Sequence, residues 1–250
     1  MKGLNADLVN CEDADLSILA LCHVLSTQVV RMTSSELKYQ LLVFDFDGTL
    51  ADSFGFFIGV FDQLADRHGF RRIADEDIDR LRGYDARQII RHVGIPLWKV
   101  PGVAKDFKAM MSKEIARVSL FDGISELLQA LVAQGVHLAV LTSNSEENVR
   151  AVLGPSNAAL FSRFECGATL FGKRGKLRRL VADSRVPRSR ILCIGDETRD
   201  ADAAFAEGIA FGAVAWGYTQ LDTLKAKCPD LVFASVDDIP HQLGLRRDSV

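Results

Sequence analysis

The chain has 250 residues, 48% of them hydrophobic and 25% charged, with a formal net charge of −3. That size suits one large domain or two modest ones, and the apolar content can build a core without a disulfide framework. The slight acidity excludes a global basic field for nucleic acid. The one basic run, Lys173-Arg174-Gly175-Lys176 with Arg178 and Arg179, is short and lacks interleaved aromatics.

In chain order, residues 1–38 stand apart from the pattern that follows. They read as an N-terminal extension, disordered or helical, or as the product of an over-called start codon, with Met32 as the alternative start. Leu16 to Leu25 is their longest apolar stretch and predicts a short amphipathic helix. It is too short to span a bilayer, and Asp13 and Asp15 before it are wrong for a signal peptide, so no membrane association is expected. The five cysteines, Cys11, Cys22, Cys166, Cys193 and Cys228, are scattered and form no CxxC. That argues against a zinc site and a secreted disulfide scaffold, and for a reducing, cytoplasmic setting.

Leu41 to Phe46 predicts a buried strand that ends in a turn at Asp47-Gly48. From Ser53 to about Ser119 the apolar residues recur at helical spacing with no convincing strand, as in Phe57, Val60, Phe61 and Leu64. This stretch is too long for a loop and reads as a helical insert after the first strand. Ile124, Leu127, Leu128 and Leu131 mark the next helix, which Gly135 stops. His137 to Leu141 is a second strand, followed by Thr142-Ser143-Asn144-Ser145, and Ser145 N-caps a helix over Glu146 to Leu153. Leu177, Leu180 and Val181 belong to a further helix. Arg190 to Ile194 is a third strand, Ala201 to Glu207 a helix, Ala210 to Trp216 a fourth strand and Leu231 to Phe233 a short fifth. The alternation predicts an α/β fold with a mostly parallel sheet.

Three of these strands end in chemistry. The first runs into Asp45-Phe46-Asp47-Gly48, the second into Thr142, and the third into Gly195-Asp196 with Glu197 and Asp200 beyond. In an open α/β sheet, ligands bind beyond the carboxyl ends of the strands. Several carboxylates at one such edge repel each other unless a cation joins them. Oxygen donors select a hard ion, magnesium being the usual one for phosphate chemistry.

The segment Asp45-Phe46-Asp47-Gly48-Thr49-Leu50-Ala51-Asp52-Ser53, with Thr142 and with Gly195-Asp196 and Asp200, resembles the haloacid dehalogenase superfamily, in its phosphoglycolate phosphatase-like branch. The resemblance covers about residues 40–235. It implies a Rossmann-like core from residues 39–53 and 120–250, with a helical cap at 54–119 and re-entry near Phe121-Asp122-Gly123-Ile124. It also implies a magnesium-dependent phosphatase for a small phosphorylated metabolite. Asp45 would be the nucleophile, forming an aspartyl-phosphate, and Asp47 the general acid and base. Thr142, with backbone N–H groups near Ser143 and Asn144, would bind phosphoryl oxygens. Lys173, with Lys176 as the alternative, would offset their charge. The metal would be held by Asp45, the Asp47 carbonyl and Asp196, with Asp200 orienting the lysine or holding a water at the metal. Dehalogenases of the superfamily lack an acid at the position of Asp47, so its presence favours transfer to water. A phosphomutase, a phosphonate-cleaving enzyme with a cap lysine (Lys99, Lys105, Lys108 or Lys113) and a catalytically idle scaffold are the alternatives. Arg82-Gly83-Tyr84-Asp85-Ala86-Arg87 reads either as a substrate-facing cap loop or as a plain helix connection.

Overall fold

The computed structural model describes residues 37–169 and 172–245. The helix expected over Leu16 to Leu25 lies outside the described residues.

The first strand, β1, is Leu41–Phe44. After it come β2 (Ala51–Asp52), α1 (Phe54–His68), α2 (Ile78–Leu81), α3 (Ala86–Val93), α4 (Val100–Lys113) and β3 (Ser119–Leu120). The chain then alternates through α5 (Ile124–Ala133), β4 (His137–Leu141), α6 (Glu146–Ala158), β5 (Phe161–Glu165), α7 (Lys173–Ser184), β6 (Ile191–Gly195) and α8 (Thr198–Ala206). It ends with β7 (Ala210–Val214), α9 (Leu221–Lys225), β8 (Leu231–Phe233) and α10 (Asp238–Leu243). Six strands form a parallel sheet in the order β5-β4-β1-β6-β7-β8. The fold is therefore the α/β, Rossmann-like one expected.

The sequence reading missed β5 and the two-residue strands β2 and β3. Phe161-Ser162-Arg163-Phe164-Glu165 is an edge strand whose polar residues leave no continuous apolar run. β2 and β3 pair antiparallel, Ala51 with Leu120 and Asp52 with Ser119, and so close the base of the helical insert. Insert and sheet belong to one packed unit that begins at Lys38. The helix after Ser145 also runs past Leu153, across a break where Gly154 takes φ 70° before Pro155.

Strand β1 is buried over its whole length, as a central parallel strand covered on both faces must be. Alternation sends Leu41 and Val43 to the face covered by Leu177, Leu180 and Val181 of α7 and Ala201 and Ala204 of α8. Leu42 and Phe44 fill the opposite face, both fully buried. No helix among the described residues is long and apolar enough to cross a membrane.

Candidate active site

Register brings the strand ends together. Leu41 pairs with His137 on one side and Ile191 on the other, and Phe44 with Val140 and Ile194. The Asp45 N–H then donates to the Ile194 carbonyl at 2.9 Å. Thr142 and Asp196 each follow one residue beyond this level, so residues far apart in sequence share one edge. β1 lies where the sheet changes direction, with β4 and β5 to one side and β6 to β8 to the other, which opens a crevice at that edge.

Asp45 is 4% exposed, Asp196 0% and Asp200 1%. One carboxylate oxygen from each lies within 4.8 Å of the others. Asp45 Oδ1 accepts the Phe46 N–H at 2.8 Å, and Oδ2 is 2.7 Å from Lys173 Nζ. The same ammonium is paired with Asp200 Oδ1. Burial works against the charge on Lys173, but Asp200 and Asp45 outweigh it and hold the ammonium above its ordinary pKa. Lys176 instead lies 3.5 Å from Glu165, so the structure places Lys173, and not Lys176, among the acids.

Asp196 is fixed by two donors, Thr49 Oγ1 at 2.8 Å and the Tyr218 N–H at 2.8 Å. Burial first, and then the charge of Asp45, raise its pKa well above the usual carboxylate value. The same causes push Asp200 up to about 7, against the pull of Lys173. Both shifts come first from burial and then from neighbouring carboxylate charge. Arg199, a half-buried cation nearby, is taken by Glu197 at 2.6 Å. Three buried carboxylates in mutual reach, with oxygen donors only, fit a divalent hard cation. Asp45, Asp196 and Asp200 are the side chains that would hold it. The Asp47 side chain lies outside this group.

Two glycines make room for the arrangement. Gly48 has φ 76°, and a Cβ there would overlap the Asp196 carboxylate and come within 2.6 Å of Tyr218. A Cβ on Gly217 would also run into Asp196. The turn itself closes through the Gly48 N–H to the Ala51 carbonyl at 2.9 Å.

Asp47 sits at the mouth of the site, partly exposed. Ser53 Oγ donates to it at 2.9 Å and Asn144 Nδ2 at 3.0 Å. Desolvation by the surrounding protein, then the charge of Asp45, push its pKa up to about 6, while Ser53 and Asn144 pull it back. Ser53 also shares a hydrogen bond with the Tyr218 hydroxyl at 2.9 Å. Ser53, Asn144 and Tyr218 thus orient Asp47. Sequence reasoning placed Asn144 near phosphate through its backbone. Here the Asn144 N–H donates to Thr142 Oγ1 at 3.0 Å and its side chain holds Asp47. Tyr218 was not foreseen; it lies in the loop four residues past the end of β7, whereas Asp45, Thr142 and Asp196 each follow their strand directly.

Thr142 is fully buried beside Asn144. A hydroxyl that accepts one N–H keeps its own hydrogen to donate. Among the four insert lysines, Lys108 Nζ reaches within 3.5 Å of the Ser143 carbonyl, whereas Lys99 donates to the His68 carbonyl at 2.7 Å. Arg82, in the loop singled out from the sequence, donates to the carbonyls of Tyr218 at 3.1 Å and Gly217 at 3.0 Å. That loop faces the site.

The fold and site define a class: an open α/β hydrolase with a carboxylate nucleophile candidate, a buried lysine and a place for a divalent cation. The chain belongs to the haloacid dehalogenase-like hydrolases, whose family model matches residues 42–214. It is 32% identical over 201 residues to a phosphoglycolate phosphatase of Synechococcus elongatus, covering 80% of this chain and 95% of that protein. It is 29% identical over 221 residues to the tyrosine-protein kinase PtkA of Mycobacterium tuberculosis, covering 86% of this chain and 76% of that one. A haloacid dehalogenase-like family hydrolase of Streptococcus pneumoniae shares the fold with a TM-score of 0.68 at 17% identity, covering 82% of this chain and 98% of its own. CbbY of Rhodobacter sphaeroides, solved with phosphate, does so at 0.58 and 20%, covering 79% and 94%. The family match and the phosphoglycolate phosphatase relative support a phosphoric monoester hydrolase.

Proposed function

We propose that this protein is a magnesium-dependent phosphatase that hydrolyses a small phosphate monoester through an aspartyl-phosphate on Asp45. The observation that carries the reading is the pairing of two unlike carboxyls. Asp45 is held between the Phe46 N–H and the Lys173 ammonium, and Asp47, two residues on, is tuned to about 6. The ammonium contact supports Asp45 as the nucleophile, and the raised pKa of Asp47 supports it as the acid.

A carboxylate oxygen of Asp45 attacks phosphorus, and the bond from phosphorus to the leaving oxygen breaks. Asp47 gives its proton to that oxygen. A water then attacks the aspartyl-phosphate, Asp47 takes a proton from it, and phosphate leaves with Asp45 restored. Thr142 donates its hydroxyl to a phosphoryl oxygen, and Lys173 offsets negative charge on the transferring group. Asp45, Asp196 and Asp200, with the Asp47 carbonyl, would hold magnesium, which would screen the repulsion between carboxylate and phosphate. Asp200 holds Lys173 in line. The partner is a small phosphorylated metabolite, with no nucleic acid or membrane involved, and the cysteine pattern supports a cytoplasmic setting.

Asp45→Asn should lower turnover of para-nitrophenyl phosphate about a hundredfold or more. Activity near that of the unaltered protein, or activity indifferent to magnesium, would remove the assignment. A second reading, phosphoryl transfer to a protein tyrosine, is favoured by the similarity to PtkA. Incubation with labelled ATP and a tyrosine-containing acceptor separates the two, since only a kinase leaves label on the acceptor.

A further inference from the structure

Beside Asp47 and Ser143 opens a cavity of about 290 Å³ between the helical insert and the sheet edge. Its walls are mostly the inward faces of α1, α3 and α4. Phe54, Phe57, Phe107 and Tyr218 form an aromatic wall on the Asp47 side. The Phe54 and Tyr218 rings meet edge to face at 5.0 Å, and Phe57 lies 5.8 Å from Tyr218 and 5.7 Å from Phe107. This wall is continuous with the reactive group, because the Tyr218 hydroxyl bonds Ser53, which bonds Asp47.

The charged residues on the wall, Asp47 aside, are already partnered. Arg82 is held by the carbonyls of Gly217 and Tyr218. Arg199 is paired with Glu197. Asp85 caps α3 by accepting the Gln88 N–H at 2.8 Å. Lys108 lies off this wall, with its Nζ 3.5 Å from the Ser143 carbonyl. A carboxylate on the leaving group would have to draw Arg82 or Arg199 away from these partners, which offsets part of what the contact would gain. A ring would instead remove apolar surface from water. A cavity of about 150 Å³ lined by similar side chains suffices for benzene, so this one admits a ring with a substituent.

We infer that the cavity receives the leaving group and that the preferred substrate is a phosphate ester of an apolar, aromatic-sized alcohol, not of a hydroxy acid. The inference rests on the phosphatase reading above, with Asp47 as the group that protonates the leaving oxygen. A long apolar cavity starting at that acid places the alcohol, and not the phosphate, against the aromatic wall.

The test is kcat/KM of the full chain with magnesium on benzyl phosphate, ethyl phosphate and phosphoglycolate, whose leaving groups are all alkyl alcohols. Benzyl phosphate should exceed both of the others by about tenfold or more. Phe57→Ala should raise KM for benzyl phosphate several-fold and shrink its lead over ethyl phosphate. If that variant does not fold, Phe57→Leu poses the same question. Phosphoglycolate turned over as well as benzyl phosphate, or an unchanged benzyl preference in a folded Phe57 variant, would overturn the inference while leaving the phosphatase intact. No turnover of any of the three esters would overturn both.

Discussion

Replacing Lys173 with Met removes the one ammonium shared by Asp45 and Asp200. The side chains involved are 4%, 4% and 1% exposed. At 2.7 Å from Asp45, and with an effective dielectric of about 20, the lysine's gross attraction to that carboxylate alone is about 6 kcal/mol. Burying the ammonium takes back much of this, so the net cost of breaking the pair is about 3–5 kcal/mol. For a domain of this size that is about 6–20 °C in Tm. Asp200, already pushed up to about 7 beside the lysine, would rise further without it. It would then escape part of the cost by taking a proton. The deficit should therefore be larger at pH 8, where an unpaired carboxylate stays ionised, than at pH 6. Thermal unfolding in EDTA at both values measures it, and adding Asp200→Asn to Lys173→Met should return much of the loss without restoring activity. Lys176→Met, which disturbs only a 3.5 Å contact to Glu165, should keep activity within about threefold and Tm within about 2–4 °C. A Lys173→Met protein as stable as the parent at pH 8, or one that retains turnover, would refute the electrostatic account of the site.

Gly48→Ala should raise the magnesium concentration for half-maximal activity by about tenfold or more. Its Cβ needs the place of the Asp196 carboxylate, and the backbone there has φ 76°. An unchanged magnesium titration would count against Asp196 as a ligand. Asp47→Asn should slow release of the first alcohol equivalent more for ethyl phosphate than for para-nitrophenyl phosphate, whose leaving group needs little protonation. Equal losses in a rapid-quench measurement would argue against Asp47 as the acid. Glu207 lies beneath Arg174 at 2.8 Å and Arg178 at 3.2 Å, and the hydrogen bond from Arg174 above all holds its pKa below the usual glutamate value. A depressed carboxylate contributes stability that is present above its unfolded pKa and lost as pH falls through the folded one. Glu207→Gln should then cost about 1 kcal/mol at pH 7, about 2–4 °C, with the gap to the parent closing below about pH 4. A gap that does not depend on pH would show that the arginines contribute little.

Much of the site was legible because parallel strands buried on both faces write themselves as short apolar runs, and the chemistry sits one residue past each run. Asp45 after Phe44, Thr142 after Leu141 and Asp196 after Gly195 follow that rule. The choice between Lys173 and Lys176 was not legible, since both carry the same charge three positions apart and only packing buries one of them. The partners of Asp47 were hidden for a similar reason. Asn144 reaches it across the sheet edge, and Tyr218, from the loop after β7, bonds the Ser53 that donates to it; local sequence carries no trace of such contacts. The apolar spacing of Phe57, Phe61 and Leu64 announced a helix with one greasy face. Whether another element fills that face or leaves a hollow depends on how the insert helices splay, and periodicity does not encode that. β2 and β3 are simply too short to leave a pattern.

Those two short strands have a bearing on the molecule's history. Because Asp52 and Ser119 lie side by side, the excursion between them leaves and returns at a single point. Its length and shape can change without shifting the alignment of any strand in the main sheet. The placement of Asp45 and Asp196 is thus set by the sheet register and not by the excursion. Grafting a foreign segment between these two positions would be the natural way to give the same chemistry a new clientele.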